Sequence, residues 1–392
     1  MPLTPLISFM HGRWLRWWLT ASFFMLFCGT FFFESHTALL NVVDALFFLP
    51  GLTLLTRAVV SGDHRILTAR VMWPLYAFLA WALLSMSWAS EPNLTRTLRA
   101  TVQIIVLVGM FRWLHLYFPH TLKQALTNGA ICAALTAAVV MVSYYTTQPF
   151  MSPLFSEATP LIFDMASLPI SLAMMAIITP LCLLLIQGVV RGATGKGARR
   201  LAAAAMLLLF SVMVSPQLGA MLLALVVTWT LWRKQQMTAA AAGIGIASLI
   251  MLLSSHTLWP WPYLQAPLIG HGLSQATLSH VVTGSGPDIT PLTHPQNMLW
   301  LILHKLGLLG LGLFILMWWL PFSALRAKTT VLDGFYVLPI IPSAMVLFAC
   351  GTLLLVPFHS SWMALWLPLA LLLAPLSDRG TIHPGKAVQG GL

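Results

Sequence analysis

Apolar runs follow one another along nearly the whole chain, separated by short polar groups. A membrane-crossing helix needs roughly 20 consecutive apolar residues. On that measure the pattern predicts about twelve spans, near 15–33, 38–56, 70–88, 100–118, 124–145, 168–188, 201–215, 218–232, 237–253, 298–324, 335–355 and 362–376. The seventh and eighth are short and separated only by Ser215-Pro216-Gln217. Pro216 lacks a backbone donor there and interrupts any continuous helix. The predicted fold is an all-α integral membrane protein, with one polytopic domain over 1–376 and a polar cytoplasmic tail over 377–392.

The pattern lapses once, between spans nine and ten. Residues 254–297 contain no long apolar run, hold His256, His271, His280, His294 and Asp288, and carry no Lys or Arg. Polar loops of this length are usually functional or disordered. This one is expected to lie on the outer face of the membrane and to form most of an active site. Within it, PLIGHGLSQ sets Gly270 and Gly272 on either side of His271. Glycines there let the backbone turn tightly or approach a partner closely. The stretch THPQNMLWLILHKLGLLG puts His294, Gln296 and Asn297 at the loop-to-helix junction, with Gly307 and Gly310 following. Small residues at such spacing allow close helix approach in lipid. A histidine at the outer water boundary suits a general base, because its ordinary pKa is near neutral; the competing role is structural or interfacial.

Composition narrows the class. The chain has 392 residues, of which 59% are hydrophobic and 7% charged. Soluble domains carry about 25% charged residues. The formal charge of +11 is not read as a nucleic-acid signal. It follows instead from the excess of Lys and Arg in cytoplasmic loops. With the N-terminus inside and sides alternating, all of the 20 Lys and Arg fall inside except Arg96, Arg99 and Lys305. That places both termini in the cytoplasm. The first apolar run follows Arg13 and Arg16 without a small-residue cleavage site and is expected to be a retained span. The four cysteines fall within apolar runs, as small buried side chains do. The loop histidines are too widely spaced for a compact ligand set, so no metal site is expected. GATGKG at 192–197 lacks the spacing and the Ser/Thr of a phosphate-binding loop.

Three cations on the outer side need a reason. Arg96 and Arg99 in WASEPNLTRTLRA stand one helical turn apart on one face. Two planar guanidinium forks so placed suit a phosphate or diphosphate; snorkelling to lipid headgroups is the alternative. Lys305 lies in an apolar helix beside His304, where an ionisable group is a functional candidate by default. Its alternative is also snorkelling. Asp44 in the second span is costly unless paired, and a structural partner is the favoured expectation over a proton relay.

Histidine, two residues, asparagine, an apolar helix and then Gly-x-x-Gly is a pattern that resembles the bacterial O-antigen ligase and O-antigen polymerase superfamily. The Gly-x-Gly loop before it and WASEPNLTRTLRA after the third span share the resemblance, as does a late outer loop in a twelve-span chain. The residues that carry it are confined to 88–99, 215–225 and 268–312. The resemblance implies a glycosyltransferase in the bacterial inner membrane whose large loop is periplasmic. Such an enzyme passes a glycan from an undecaprenyl diphosphate donor to a lipid A–core hydroxyl, without cofactor, metal or nucleic acid. It implies His294 or His271 as the base and Arg96, Arg99 and Lys305 as the diphosphate site. Gly270, Gly272, Gln296, Asn297, Gly307, Gly310 and Gln217 are the supporting positions.

The chain departs from the family pattern at three places. Gln296 stands where the family usually has a histidine, Gln217 stands near an expected arginine, and Ser254-Ser255-His256 is the nearest match to a further arginine that usually opens the large loop. Glutamine neither accepts a proton at neutral pH nor carries charge. Either the roles rest on His294, Arg96, Arg99 and Lys305, or the activity is different or lost. The alternatives are a surface-polysaccharide polymerase, a catalytically silent scaffold of an envelope-polysaccharide complex, and a transporter. A transporter would show internal symmetry and charges deep in several spans, and no clear repeat is visible.

Overall fold

A computed structural model describes residues 13–29, 32–33, 36–63, 65–89, 92–151, 267–273, 298–328, 362 and 365–376. Every regular element among them is helical. They are α1 (Arg13–Cys28), α2 (His36–Val43) running through a wide turn at Asp44–Phe48 into α3 (Leu49–Val60), α4 (Arg65–Thr68), α5 (Trp73–Leu84), α6 (Leu94–Tyr117), α7 (Pro119–Met151), α8 (Met298–Lys328) and α9 (Trp366–Leu373). Among the described residues, four stretches are long and apolar enough to cross a membrane: Thr37–Val60, Arg70–Trp88, Leu94–Tyr117 and Leu301–Ala324. The chain therefore has the character of a multi-pass membrane protein. The spans expected at 168–188, 201–215, 218–232, 237–253 and 335–355 lie outside the described residues.

Helix α6 is the centre of the packing. Its apolar window is 72% buried, against 39–44% for the other three. Close approach is allowed by small residues, as is usual between helices in lipid. A methyl group on Gly109 of α6 would come within 2.8 Å of Leu55, and one on Gly51 of α3 within 3.0 Å of Val106 and Met110. Phe23 of α1 meets Phe47 of the wide turn and Phe111 of α6, with ring centres 5.9 and 5.6 Å apart. Helices α5 and α8 run antiparallel, since Trp81 bonds Leu306 while Phe78 meets Phe314 edge-on further along.

The wide turn has a specific cause. Pro50 has no N–H to give the Leu46 carbonyl four residues back. The helix opens over Asp44–Phe48, and the Leu49 N–H returns to the Asp44 carbonyl. The Leu46 carbonyl accepts instead from Trp18 Nε1 at 2.9 Å and Ser22 Oγ at 3.2 Å, both on α1. In a lipid-exposed fold each backbone polar group needs such a partner.

The opposite end of α6 is also tied by polar bonds. Arg112, 1% exposed, donates from Nε to the Ile66 carbonyl at 2.8 Å and from Nη1 to the Leu373 carbonyl at 3.2 Å. Tyr117 donates to Asp63 at 2.5 Å, and Arg16 to Gln124 at 3.2 Å. These bonds gather the 61–72 connection, the starts of α1 and α7 and the last turns of α6 at one end. Arg16, Arg70, Arg112 and Lys123, which the charge pattern assigns to a common face, all belong to these segments.

Two of the elements that differ from their expected bounds do so for a visible local reason. Helix α1 stops at Cys28, short of residue 33, because the chain turns at Gly29, whose carbonyl accepts from Phe32 N at 3.0 Å. Helix α6 starts at Leu94 rather than near 100, because Asn93 caps it by accepting from Arg96 N at 3.1 Å. That cap puts Arg96 and Arg99 on the first turns of the helix.

Candidate functional site

Helix α8 is broken at Gly307, where φ is 69° and ψ is −171°. This backbone conformation belongs almost entirely to glycine. In an unbroken helix the N–H groups of Leu308 and Leu309 would bond the carbonyls of His304 and Lys305. The segment 267–273 intercepts both bonds. His271 N donates to His304 O at 2.9 Å and Gly272 N to Lys305 O at 2.8 Å. Leu308 N donates to Pro267 O at 2.8 Å and Leu309 N to Leu268 O at 3.3 Å. The Leu306 carbonyl, just before the break, accepts from Trp81 Nε1 at 3.0 Å. The loop is thus spliced into the helix, and the polar backbone at the break is satisfied by protein rather than water.

The glycines around His271 are required by this close approach. Gly270 (φ 71°) and Gly272 (φ 83°) take left-handed conformations. A methyl group on Gly270 would lie 2.5 Å from the Lys305 carbonyl, and one on Gly272 2.5 Å from the Ser85 carbonyl and 2.8 Å from Ala89 Cα. One on Gly310 would press on Leu306 and come 3.3 Å from Trp81. The docked backbone brings the His271 ring to 4.6 Å from the His304 ring, tilted by 33°. Lys305, 6% exposed, is the next residue. His304 is the member that sequence reasoning passed over; its position beside Lys305 in an apolar helix was the available signal.

The same loop packs on the turn Ser85–Trp88 and Ala89, which lead into the capped start of α6. There Arg99 is ion-paired with Asp44, donating to Oδ2 from Nε at 3.1 Å and also from Nη2. Gln103 Nε2 donates to the other carboxylate oxygen at 2.5 Å. Asp44 therefore has a structural partner, and Arg99 has a counter-ion that its expected role did not include. Arg96, half-buried, lies one turn before Arg99.

Of the residues singled out from the sequence, His271, Gly270, Gly272, Lys305, Gly307 and Gly310 come together at the break. Arg96 and Arg99 stand on the helix that the adjoining turn introduces. His294, Gln296, Asn297 and Gln217 lie outside the described residues. Among the described residues Asp44 and Asp63 are the only carboxylates, and no group of three or more His, Cys, Asp or Glu side chains is gathered for a metal. Chemically, the arrangement offers imidazoles and an ammonium at a helix break, near a helix start with two guanidiniums. No protein-family model, characterised protein or solved structure matches the chain.

Proposed function

We propose that the chain is a membrane glycosyltransferase of the O-antigen ligase type. It would transfer a glycan from an undecaprenyl diphosphate carrier to a lipid A–core hydroxyl on the periplasmic face of a bacterial inner membrane. In this reading the fold has about twelve spans, both termini are cytoplasmic, and 254–297 is the periplasmic loop. One observation carries the proposal. Two segments that bear the family resemblance, 88–99 and 268–312, are far apart in sequence yet meet where the His271 loop docks on Gly307 and on Ser85–Ala89.

The chemistry is a displacement at the anomeric carbon. A loop histidine, His294 or His271, takes the proton of the acceptor hydroxyl. The acceptor oxygen bonds the anomeric carbon as the bond to the diphosphate oxygen breaks. Undecaprenyl diphosphate leaves with the bonding pair, its growing charge met by Arg96, Arg99 and Lys305. Cations already in place where charge develops usually stabilise such a transition state more than any other single effect. The diphosphate bond supplies the driving force, so the mechanism calls on no nucleotide.

The test is a lipopolysaccharide gel from a strain lacking the gene, complemented with wild type. Bare lipid A–core with accumulated lipid-linked glycan, and a ladder restored by wild type, is the expected result. Single-repeat caps would instead mark a polymerase. An unchanged ladder in the deletion strain would contradict both and favour the scaffold suggested by Gln217 and Gln296.

A further inference from the structure

We infer that Asp44, assisted by Gln103, is a positioning residue that holds the Arg99 guanidinium ready for the donor diphosphate. This rests on the transferase reading above. Arg99 offers five N–H donors in a fixed fork. Asp44 engages Nε and Nη2, which is one edge of the fork. Among the described residues no other bond to the Arg99 side chain occurs, which leaves the Nη1 edge for an incoming acceptor. The side chain is 38% exposed, so that edge is reachable. Arg96 lies one turn earlier on the same face. Together the two would present guanidiniums to adjacent phosphates.

The anchor is itself held from two other helices, α1 and α6. Asp44 opens the wide turn that Pro50 imposes, and that turn is fixed to α1 through Trp18 and Ser22. Its carboxylate is oriented from α6 twice, since Gln103 lies one turn beyond Arg99 and takes the second oxygen. The pair lies at the edge of the packing, with Asp44 23% exposed. It also leaves the α6 start with the charge of Arg96 in excess, as an anion site requires.

The experiment measures undecaprenyl diphosphate binding and melting temperature for the full chain in nanodiscs. The variants are Asp44→Asn, the exchange Asp44→Arg with Arg99→Asp, and Arg96→Ala. Asp44→Asn should bind roughly tenfold more weakly at a melting temperature close to wild type. The exchange should melt like wild type, because the pair is kept, yet lose binding, because the arginine is on the wrong helix. Wild-type binding by the exchange variant would make the pair a packing clamp and overturn the inference. Equal or tighter binding by Asp44→Asn would reduce Asp44 to a counter-ion and overturn it too. If Asp44→Asn fails to fold, the exchange variant decides. If Arg96→Ala alone loses binding, the transferase reading stands and the role given to Asp44 falls. Absence of binding by the wild-type chain would remove both.

Discussion

Replacing Gly307 by alanine should undock the His271 loop while leaving the protein inserted. The left-handed backbone at Gly307 costs a non-glycine residue about 1–3 kcal/mol. The new methyl group would also overlap the Leu268 carbonyl and lie 2.6 Å from Gly270 N. These are backbone atoms, and no rotamer change removes them, so the loop must lift. Lifting it breaks the hydrogen bonds from His271 N, Gly272 N, Leu308 N and Leu309 N. Losing those bonds costs about 1 kcal/mol each, roughly 4 kcal/mol in all, and the loop lifts because the backbone overlap together with the left-handed strain outweighs that loss. The helix regains part of this by healing, because Leu308 N and Leu309 N then face the His304 and Lys305 carbonyls at ordinary helical spacing. The sensitive readout is therefore docking rather than melting temperature. Hydrogen–deuterium exchange of the peptide covering 267–273 should change from protected to fully exchanging within seconds. Gly312→Ala is the control, since a methyl group there meets nothing within 4 Å and adds about 1 kcal/mol of helix propensity. Unchanged protection of 267–273 in Gly307→Ala would refute the spliced-loop argument.

Other expectations follow from the same bonds. Trp18→Phe together with Ser22→Ala removes both side-chain donors to the Leu46 carbonyl and should cost about 1–3 kcal/mol, read as a lower melting temperature in detergent; no shift would mean that another donor replaces them. Arg112→Met unpairs the carbonyls of Ile66 and Leu373 and should cost roughly 2–4 kcal/mol, with Arg112→Lys between the two because it lacks the fork; a melting temperature equal to wild type would remove Arg112 as the tie between α4, α6 and α9. His294→Ala should abolish transfer by an inserted protein. Wild-type transfer by that variant would move the base to His271, whose alanine variant keeps its backbone bond to His304 and stays docked. Arg96→Ala should raise the donor KM without lowering the melting temperature, and an unchanged KM would detach Arg96 from the diphosphate.

Apolarity made the spans legible and left their irregularities hidden. The third span, expected at 70–88, is found at Arg70–Trp88, since polar residues bound the run on both sides. The second, expected as one helix over 38–56, was readable in extent but not in its wide turn; Pro50 was the local signal, and the outcome depended on donors from α1. The break in α8 was hidden for a similar reason. Gly307 and Gly310 look like packing glycines, and only the arrival of a segment far upstream makes Gly307 a hinge between half-helices. The pairing of Asp44 with Arg99 joins separate spans, and periodicity within one span does not say which residue of another it will face. The cationic start of α6 and the Gly-His-Gly loop were visible as chemistry, and their proximity required the fold.

Reconstituted transfer tests the central claim most directly. The purified chain is placed in liposomes with an undecaprenyl diphosphate-linked glycan and lipid A–core, without nucleotide. The expected result is glycan-bearing lipid A–core together with released undecaprenyl diphosphate, in equal amounts. Intact donor and bare lipid A–core, from a chain that melts cooperatively and keeps the 267–273 segment protected from exchange, would contradict the account.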